Sequence, residues 1–135
     1  MWYYNNELYD EAPKEYTGFV YLITDLTTNR KYVGKKLFWN TRKLKPLKGK
    51  TRRRTQVVES NWKNYYGSNE ELQHLVENSH AQRFEREILH LCTKKGIMGY
   101  LEAREQFDRN VLLSDEYYNN FIGCKIHGKH VAGLR

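Results

Sequence analysis

Blocks of apolar and polar residues along this chain predict a hairpin in its first third and helices further on. Residues 18–35, GFVYLITDLTTNRKYVGK, contain two β-prone runs, 19–24 and 31–34, joined by a polar link rich in turn-forming residues. Two such runs with a short polar link favour antiparallel pairing. The sequence therefore predicts a β-hairpin at this position.

Two helices are predicted in the second half. Ser68 with Glu71 three residues later matches a capping box and predicts a helix over 68–78. Apolar positions at helical spacing predict another helix within 96–113. Between them, residues 84–92 (FEREILHLC) are ambiguous. Their spacing favours a helix, whereas their short length also allows a strand.

The remaining segments are less regular. Residues 1–16 are predicted to form an extended arm. In the basic segment 36–67, the run 37–45 (LFWNTRKLK) predicts a short helix that ends before Pro46. The rest of that segment is predicted to be a long loop, and such loops in small domains usually carry function or move.

Length and composition restrict the class of protein. A chain of 135 residues with 39% hydrophobic residues has the size of one domain with one core. No run approaches the ~20 apolar residues of a membrane helix, and the acidic, aromatic start lacks the pattern of a signal peptide. The lack of a long apolar run also predicts no membrane partner. Two cysteines are too few for a disulfide framework, which favours a reducing, cytoplasmic location.

Positive charge is concentrated in one segment. Residues 30–54 hold twelve of the 23 Lys and Arg residues, and no Asp or Glu occurs from 26 to 58. An ordinary solvated surface mixes both signs of charge. This segregation is typical of a protein that binds a polyanion such as nucleic acid.

The most specific motif is a pair of tyrosines in the predicted hairpin. Tyr21 ends the triplet FVY and Tyr32 begins the triplet YVG, eleven residues later. Two tyrosines packing across a sheet would explain the pair equally well. What favours a functional interpretation is the context, because Lys35 and Arg42 follow the hairpin and Glu102 lies in a helix further downstream.

This combination resembles the GIY-YIG nuclease family. Residues 19–21 take the place of the GIY element, and residues 32–34 closely match the YIG element. The lysine directly after YIG is similar to that of the incision nucleases of bacterial excision repair. The chain from residue 61 onward also resembles free-standing members encoded by tailed phages, so that the resemblance covers roughly 18–122.

The resemblance implies an α+β fold, a small three-stranded and mostly antiparallel sheet flanked by helices, with residues 84–92 as a strand. It implies an N-terminal arm over 1–17 and a nuclease domain over 18–122, with a basic insertion at about 43–67. Residues 123–135 would form a basic C-terminal tail.

The resemblance also implies an active site. Tyr21 is favoured as the general base, with Tyr32 bonding the phosphate or the water. Arg42 takes the place of the invariant arginine on the helix that follows the hairpin. Lys35 is the lysine after YIG, and Glu102 is the single metal ligand.

The chemistry of these residue types agrees with hydrolysis of a phosphodiester. A tyrosine has an ordinary pKa of about 10, so cations nearby are needed to favour the phenolate. The fork of Arg42 matches two phosphate oxygens. Glu102 supplies a hard oxygen ligand, which suits Mg²⁺, with Mn²⁺ as a substitute.

Several positions depart from the family pattern and leave alternatives open. Phe19 replaces the first glycine, and Pro46 stands where some members carry a histidine. Arg52, Arg53 or Arg54 compete with Arg42 for the role of the working arginine. The family's asparagine corresponds to Asn119 or Asn120, and the carboxylates that compete with Glu102 are Glu85, Glu87 and Glu105.

A second predicted site is the surface that binds DNA. Trp39 and Trp62 border the basic stretch and are candidates for stacking on bases, although a core position is the simpler expectation for Trp62. The C-x₂-H-x₂-H spacing of Cys124, His127 and His130 lacks a fourth ligand, which argues against zinc. The residues predicted to contact DNA are Lys36, Lys43, Lys45, Arg52, Arg53, Arg54 and Asn119.

The sequence thus predicts a Mg²⁺-dependent endonuclease that cuts duplex DNA, as a monomer or a DNA-induced dimer. Unlike many homing endonucleases of the family, it is expected to act without a separate DNA-binding module. If phage-encoded, it would act in the cytoplasm of the bacterial host. The competing hypotheses are a catalytically inactive relative that only binds nucleic acid, and a structural RNA-binding protein.

Overall fold

Seven strands and two α-helices make up the computed structural model, which describes residues 1–135. Five strands form a mixed sheet in the order β2-β1-β7-β3-β4, and β5 and β6 form a separate two-stranded ribbon. No helix is long and apolar enough to cross a bilayer. The elements are β1 (Trp2–Tyr4), β2 (Glu7–Tyr9), β3 (Gly18–Asp25), β4 (Lys31–Leu37), β5 (Trp39–Leu44), β6 (Arg54–Glu59), α1 (Glu70–Glu77), β7 (Phe84–Cys92) and α2 (Lys95–Asp108).

Strand β3 is the centre of the fold. It pairs antiparallel with β4 on one side and with β7 on the other, and it is buried on both faces. Phe19, Tyr21 and Ile23 point into an aromatic core with Trp62, while Val20 and neighbouring residues pack against α2. The predicted hairpin is therefore confirmed, and its alternating side chains build two cores on opposite faces.

Residues 84–92 form strand β7, as the family resemblance implies. The helical spacing of these residues is misleading, because β7 is held on both edges, by β3 and by β1. Strand β3 pairs along the segment and β1 pairs at residues 86–88, and tertiary context of this kind overrides local propensity.

The sheet has five strands where three were predicted. The N-terminal arm is not a free extension, since β1 pairs parallel with β7 and β2 pairs antiparallel with β1. The buried indole of Trp2 donates a hydrogen bond from Nε1 to the carbonyl oxygen of Trp62, at 2.7 Å. Burial of this indole against the aromatic core fixes the arm to the sheet.

Most of the basic segment does not form the short helix and long loop that its sequence predicts, although residues 45–53 remain a loop between two strands. Its residues form β5 and β6, which pair antiparallel from Trp39 and Glu59 out to Leu44 and Arg54. The two strands hydrogen-bond to each other and not to the main sheet. Local helix propensity gives no sign of such pairing between separate segments.

The two α-helices lie close to the predicted segments. Asn69, not Ser68, caps α1, because the side-chain oxygen of Asn69 accepts a hydrogen bond from the backbone N–H of Leu72 at 2.9 Å. Helix α2 (Lys95–Asp108) agrees with the helix predicted within 96–113, apart from one residue at its start. In the C-terminal tail, a 3₁₀ helix covers Gly128–Leu134.

Candidate active site

A polar cleft of about 570 Å³ brings together most of the predicted catalytic residues. Its walls come from β3, β4, α2, the start of α1 and the segment after Tyr118. Residues predicted from sequence that line it are Tyr21, Tyr32, Lys35, Glu102, Asn119 and Asn120.

The two phenols lie side by side because of the hairpin register. Tyr21 pairs directly with Gly34, and Tyr32 lies two residues before Gly34 on the same strand face. The ring centroids of the two tyrosines are 6.2 Å apart. A Cβ atom at Gly34 would collide with the phenol of Tyr21. The glycine of the YVG triplet is therefore needed because the Tyr21 ring crosses the backbone there.

A tight turn before α1 holds the second phenol. Gly67 has a φ of +92°, and a Cβ atom there would lie 3.2 Å from the Tyr32 ring. The next residue, Ser68, forms a 2.9 Å hydrogen bond between its Oγ and the hydroxyl of Tyr32. The side chain of Gln73 fixes the turn by donating to the carbonyl oxygen of Gly67. The sequence indicated Ser68 only as a helix cap, so its contact with the phenol was missed.

The acidic and basic partners of the cleft come from α2 and β4. Glu102 lies one helical turn from Met98 and from Gln106, both buried, so its carboxylate sits at the rim of the buried face. Its side chain is 14% exposed, and its nearest cation is the Nζ of Lys35 at 3.8 Å. Burial raises the pKa of Glu102, against the opposing effect of Lys35.

Both phenols hold their protons tightly in the free protein. Burial, followed by the nearby phenols of Tyr65 and Tyr32, raises the pKa of Tyr21 well above 10. Burial also raises the pKa of Tyr32, although its hydrogen bond with Ser68 works in the opposite direction. The direction is opposite to the one expected for phenols surrounded by cations, since Lys35 is the only cation that lines the cleft.

Arg42 does not lie where the sequence predicts. It belongs to strand β5 rather than to a helix, is exposed, and pairs with Gln56 on the ribbon. Neither Arg42 nor any of Arg52, Arg53 and Arg54 lines the cleft. The misplacement has one physical cause, because the helix expected to carry Arg42 is replaced by the ribbon.

Asn119, one of the predicted DNA contacts, is bonded to the backbone of β4 at the cleft. It is only 8% exposed, and its carboxamide accepts from the N–H of Val33 and donates to the C=O of Val33. Gln106 donates to the same carbonyl oxygen at 3.1 Å. Asn119 therefore positions the strand between Tyr32 and Gly34 while it lines the cleft. The adjacent Asn120 is exposed and lines the cleft.

The other carboxylates are committed elsewhere or were not foreseen. Glu105 bonds His90 and Arg109, each at 2.9 Å. Glu85 and Glu87 line a different cavity. Glu70, the first residue of α1, lines the cleft, and no sequence motif indicated this.

The remaining predicted residues divide between core and surface. Trp62 is fully buried, as expected for a core anchor, whereas Trp39 is partly buried and donates from Nε1 to the carbonyl oxygen of Pro13. Lys36 holds its Nζ 4.3 Å from the centre of the Tyr65 ring, and partial burial lowers its pKa. Nowhere in the chain do three or more His, Cys, Asp or Glu side chains gather as a set that could bind a metal.

Comparison with known proteins gives one match. The family model described as "Putative endonuclease segE, GIY-YIG domain" matches residues 2–122. No curated protein and no solved structure matches the chain. The matched range includes β1 and β2, so the N-terminal strands belong to the same unit as the cleft.

Proposed function

The chain belongs to the GIY-YIG endonuclease family, and we propose that it is a Mg²⁺-dependent enzyme that hydrolyses phosphodiester bonds in duplex DNA. The observation that carries the proposal is the shared cleft of Tyr21, Tyr32, Lys35 and Glu102. Glu102 is distant in sequence from the other three, and the meeting of all four in one polar cavity is what hydrolysis of a phosphodiester requires.

The donor set of the cleft fits a hydrated magnesium ion. Mg²⁺ keeps most of its waters and needs only one or two protein carboxylates. Glu102 offers a largely buried carboxylate whose only ionic contact, with Lys35, is longer than a hydrogen bond. Glu70 lines the same cleft and is available to bind an ordered water. The chemistry that a bound Mg²⁺ supplies is charge stabilisation of the leaving 3′ oxygen.

The phenols would handle the proton of the attacking water. In hydrolysis the water oxygen attacks phosphorus, the bond to the 3′ oxygen breaks, and the water proton passes to a base. Tyr21 is the proposed base, and the positive charge of Lys35 in the same cleft would offset part of the effect of burial, which raises the pKa of Tyr21. Tyr32, held by Ser68, would hydrogen-bond the phosphate or the water.

Lys35 takes the role of phosphate cation in this scheme. Its ammonium group lines the cleft beside Glu102, whereas the arginines of the ribbon lie outside it. A lysine acts on phosphate as a point charge and needs no fixed orientation. The arginines are left to bind the DNA on either side of the scissile phosphate.

The decisive experiment is nicking of supercoiled plasmid by wild type and Glu102→Gln, with and without Mg²⁺. We expect wild type to nick only with the metal, and Glu102→Gln to lose about a thousandfold in rate while still binding DNA. Glu85→Gln, a change of the same chemistry at an exposed site outside the cleft, is the matched control and should cut normally.

Two results would contradict the proposal. If wild type binds duplex DNA but fails to nick it with any divalent metal, the chain is an inactive binding protein of the same fold. If purified Glu102→Gln retains Mg²⁺-dependent cutting, the metal role of Glu102 is wrong.

A further inference from the structure

The two faces of the β5–β6 ribbon carry different chemistry. Directly paired residues of an antiparallel ribbon share a face, and faces alternate along each strand. One face, here called the reading face, carries Asn40 opposite Val58, Arg42 opposite Gln56, and Leu44 opposite Arg54. The opposite face carries Trp39, Glu59, Thr41, Val57, Lys43 and Thr55.

Contacts at the base of the ribbon show which of its two faces lies on the side of the cleft. Asn40, on the reading face, lines a groove together with Lys35 and Lys36, and Lys35 also lines the catalytic cleft. Trp39, on the opposite face, turns instead toward Pro13 and packs against the aromatic core. The reading face is therefore the one that continues from the cleft.

Side chains of the reading face are free to meet a ligand. Arg42, Arg54 and Gln56 are exposed, and no ion pair involves either arginine. The only hydrogen bond from these side chains is a 3.5 Å contact of Arg54 with the carbonyl oxygen of Lys45. No acidic residue occurs between 26 and 58 to compete for them.

We propose that the reading face of the ribbon enters the major groove of duplex DNA and recognises base edges through Asn40, Arg42, Arg54 and Gln56. This inference rests on the proposed nuclease function, to which it adds a sequence preference. The major groove admits a two-stranded β-ribbon. Arg pairs with the O6 and N7 acceptors of guanine, and Asn and Gln pair with the N6 and N7 groups of adenine.

A ribbon that merely neutralised phosphates would look different. Phosphate binding needs positive charge without regard to face, and the loop 45–53 and Lys43 provide it. The reading face instead combines two arginines with two carboxamides, which add no charge but offer paired donors and acceptors. Double-stranded RNA is a poorer fit, because its major groove is deep and narrow.

The test is selection of bound sequences from randomised DNA duplexes in the Glu102→Gln background, without cleavage. We expect the parent to show a preference of about tenfold or more for its selected site over random duplex. Gln56→Ala and Arg42→Ala should each relax the preference at a separate base position, by about five- to one-hundredfold.

Neighbouring residues on the opposite face supply the matched controls. Thr55→Ala should leave the selected sequence unchanged, and Lys43→Ala should weaken binding to all sequences alike. Methylation of guanine N7 within the selected site should block binding, because that atom faces the major groove. All four exposed positions allow substitution without loss of fold, which circular dichroism checks.

Other outcomes would overturn the inference. If the parent shows no sequence preference, the ribbon binds DNA only through phosphates. The same conclusion follows if the Gln56→Ala and Arg42→Ala variants keep the parental preference. Tighter binding of duplex RNA, or of a protein partner, would assign it another ligand. If Arg42→Ala keeps the parental preference, and the same change in the chain that retains Glu102 slows cutting at saturating DNA, Arg42 is catalytic instead. Because binding is measured without cleavage, a failure of the proposed nuclease function is seen separately.

Discussion

The Tyr21 side chain reaches the cleft by crossing the backbone of Gly34, where any Cβ atom would collide with it. It is 1% exposed and packed edge-on against Trp2 and Tyr65. Such packing fixes the orientation of the phenol before substrate arrives, and it also raises the pKa of Tyr21. The packing that orients the Tyr21 phenol thus also makes it less acidic.

The first prediction concerns the roles of the two phenols. Below the pKa of a base, the fraction ionised rises about tenfold per pH unit, so single-turnover cleavage should rise about a hundredfold between pH 7 and 9. Tyr21→Phe should lose about a thousandfold or more at all pH values. Tyr32→Phe, which loses only the bond with Ser68 and a substrate contact, should keep the slope and lose about tenfold to one hundredfold.

The same pair of variants can contradict the assignment. If Tyr32→Phe flattens the pH dependence and Tyr21→Phe keeps it, the roles are exchanged. Ser68→Ala is a milder companion variant, and it should follow Tyr32→Phe in direction because it removes the same hydrogen bond.

At residue scale, sequence predicted the phenols, Lys35 and Glu102, because each belongs to a motif or to a helix of fixed periodicity. It misplaced Arg42, whose role depended on a helix that does not exist. It also gave no sign of the two hydrogen bonds between Asn119 and the backbone of Val33, since no spacing links these two residues.

At the scale of elements, one buried carboxylate ties three parts of the fold together. Asp25, at the end of β3, is fully buried and accepts two hydrogen bonds from Arg83, at 2.8 and 2.7 Å. The hydroxyl of Tyr118 and the backbone N–H of Thr27 also donate to it. Burial alone would raise the pKa of Asp25, but these hydrogen bonds outweigh it and lower the pKa.

This network predicts a loss of stability in acid. The pKa of Asp25 is lower in the folded chain than its ordinary value of about 3.9, so the carboxylate stabilises the fold above that pH. As the pH falls from about 4 toward 2, protonation should remove this stabilisation. Asp25→Asn should cost about 3 kcal/mol in the free energy of unfolding at pH 7 and weaken its dependence on acid pH.

Chemical denaturation at several pH values measures both effects. Asp10→Asn, at an exposed aspartate without an ion pair, is the control and should follow the wild-type curve. An Asp25→Asn variant with wild-type stability at pH 7 would show that the network contributes nothing.

Elements were predictable where their own pattern decides them. The hairpin of β3 and β4 follows from two β-prone runs and a turn. Strand β7 required knowledge of the family topology, because its pairing partners are far away in sequence. The ribbon and the N-terminal strands depend on pairing between residues that no local signal links.

At the scale of the whole molecule, the excess positive charge is concentrated in one region of the chain. The net charge is +7, yet the residues outside 30–54 carry more acidic than basic groups. The excess positive charge therefore lies on the ribbon and its loop, with Lys35 and Lys36 at the base. A field arranged in this way steers DNA toward the ribbon side of the molecule.

The salt dependence of binding tests this arrangement. Each phosphate contact contributes about 0.9 to the slope of log K against log salt. Arg52→Ala with Arg53→Ala should therefore flatten the slope by up to about 1.8. Lys125→Ala with Lys129→Ala removes the same charge from the tail and should have a smaller effect. Equal slopes for wild type and the ribbon variant, measured by anisotropy with the Glu102→Gln protein, would mean that the loop faces away from DNA.

The ribbon is rooted in the same core that carries the phenols. Phe38, at its base, is fully buried and donates its backbone N–H to the carbonyl oxygen of Thr17, while Ser60 bonds back to Leu37. Side chains on one face of a strand recur every two residues, about 6.6 Å apart, which is close to two base-pair steps of about 3.4 Å. Because the ribbon and the phenols share one core, their separation is fixed. Recognition of bases by the ribbon, as proposed, would therefore place the broken bond at a constant distance from the recognised bases.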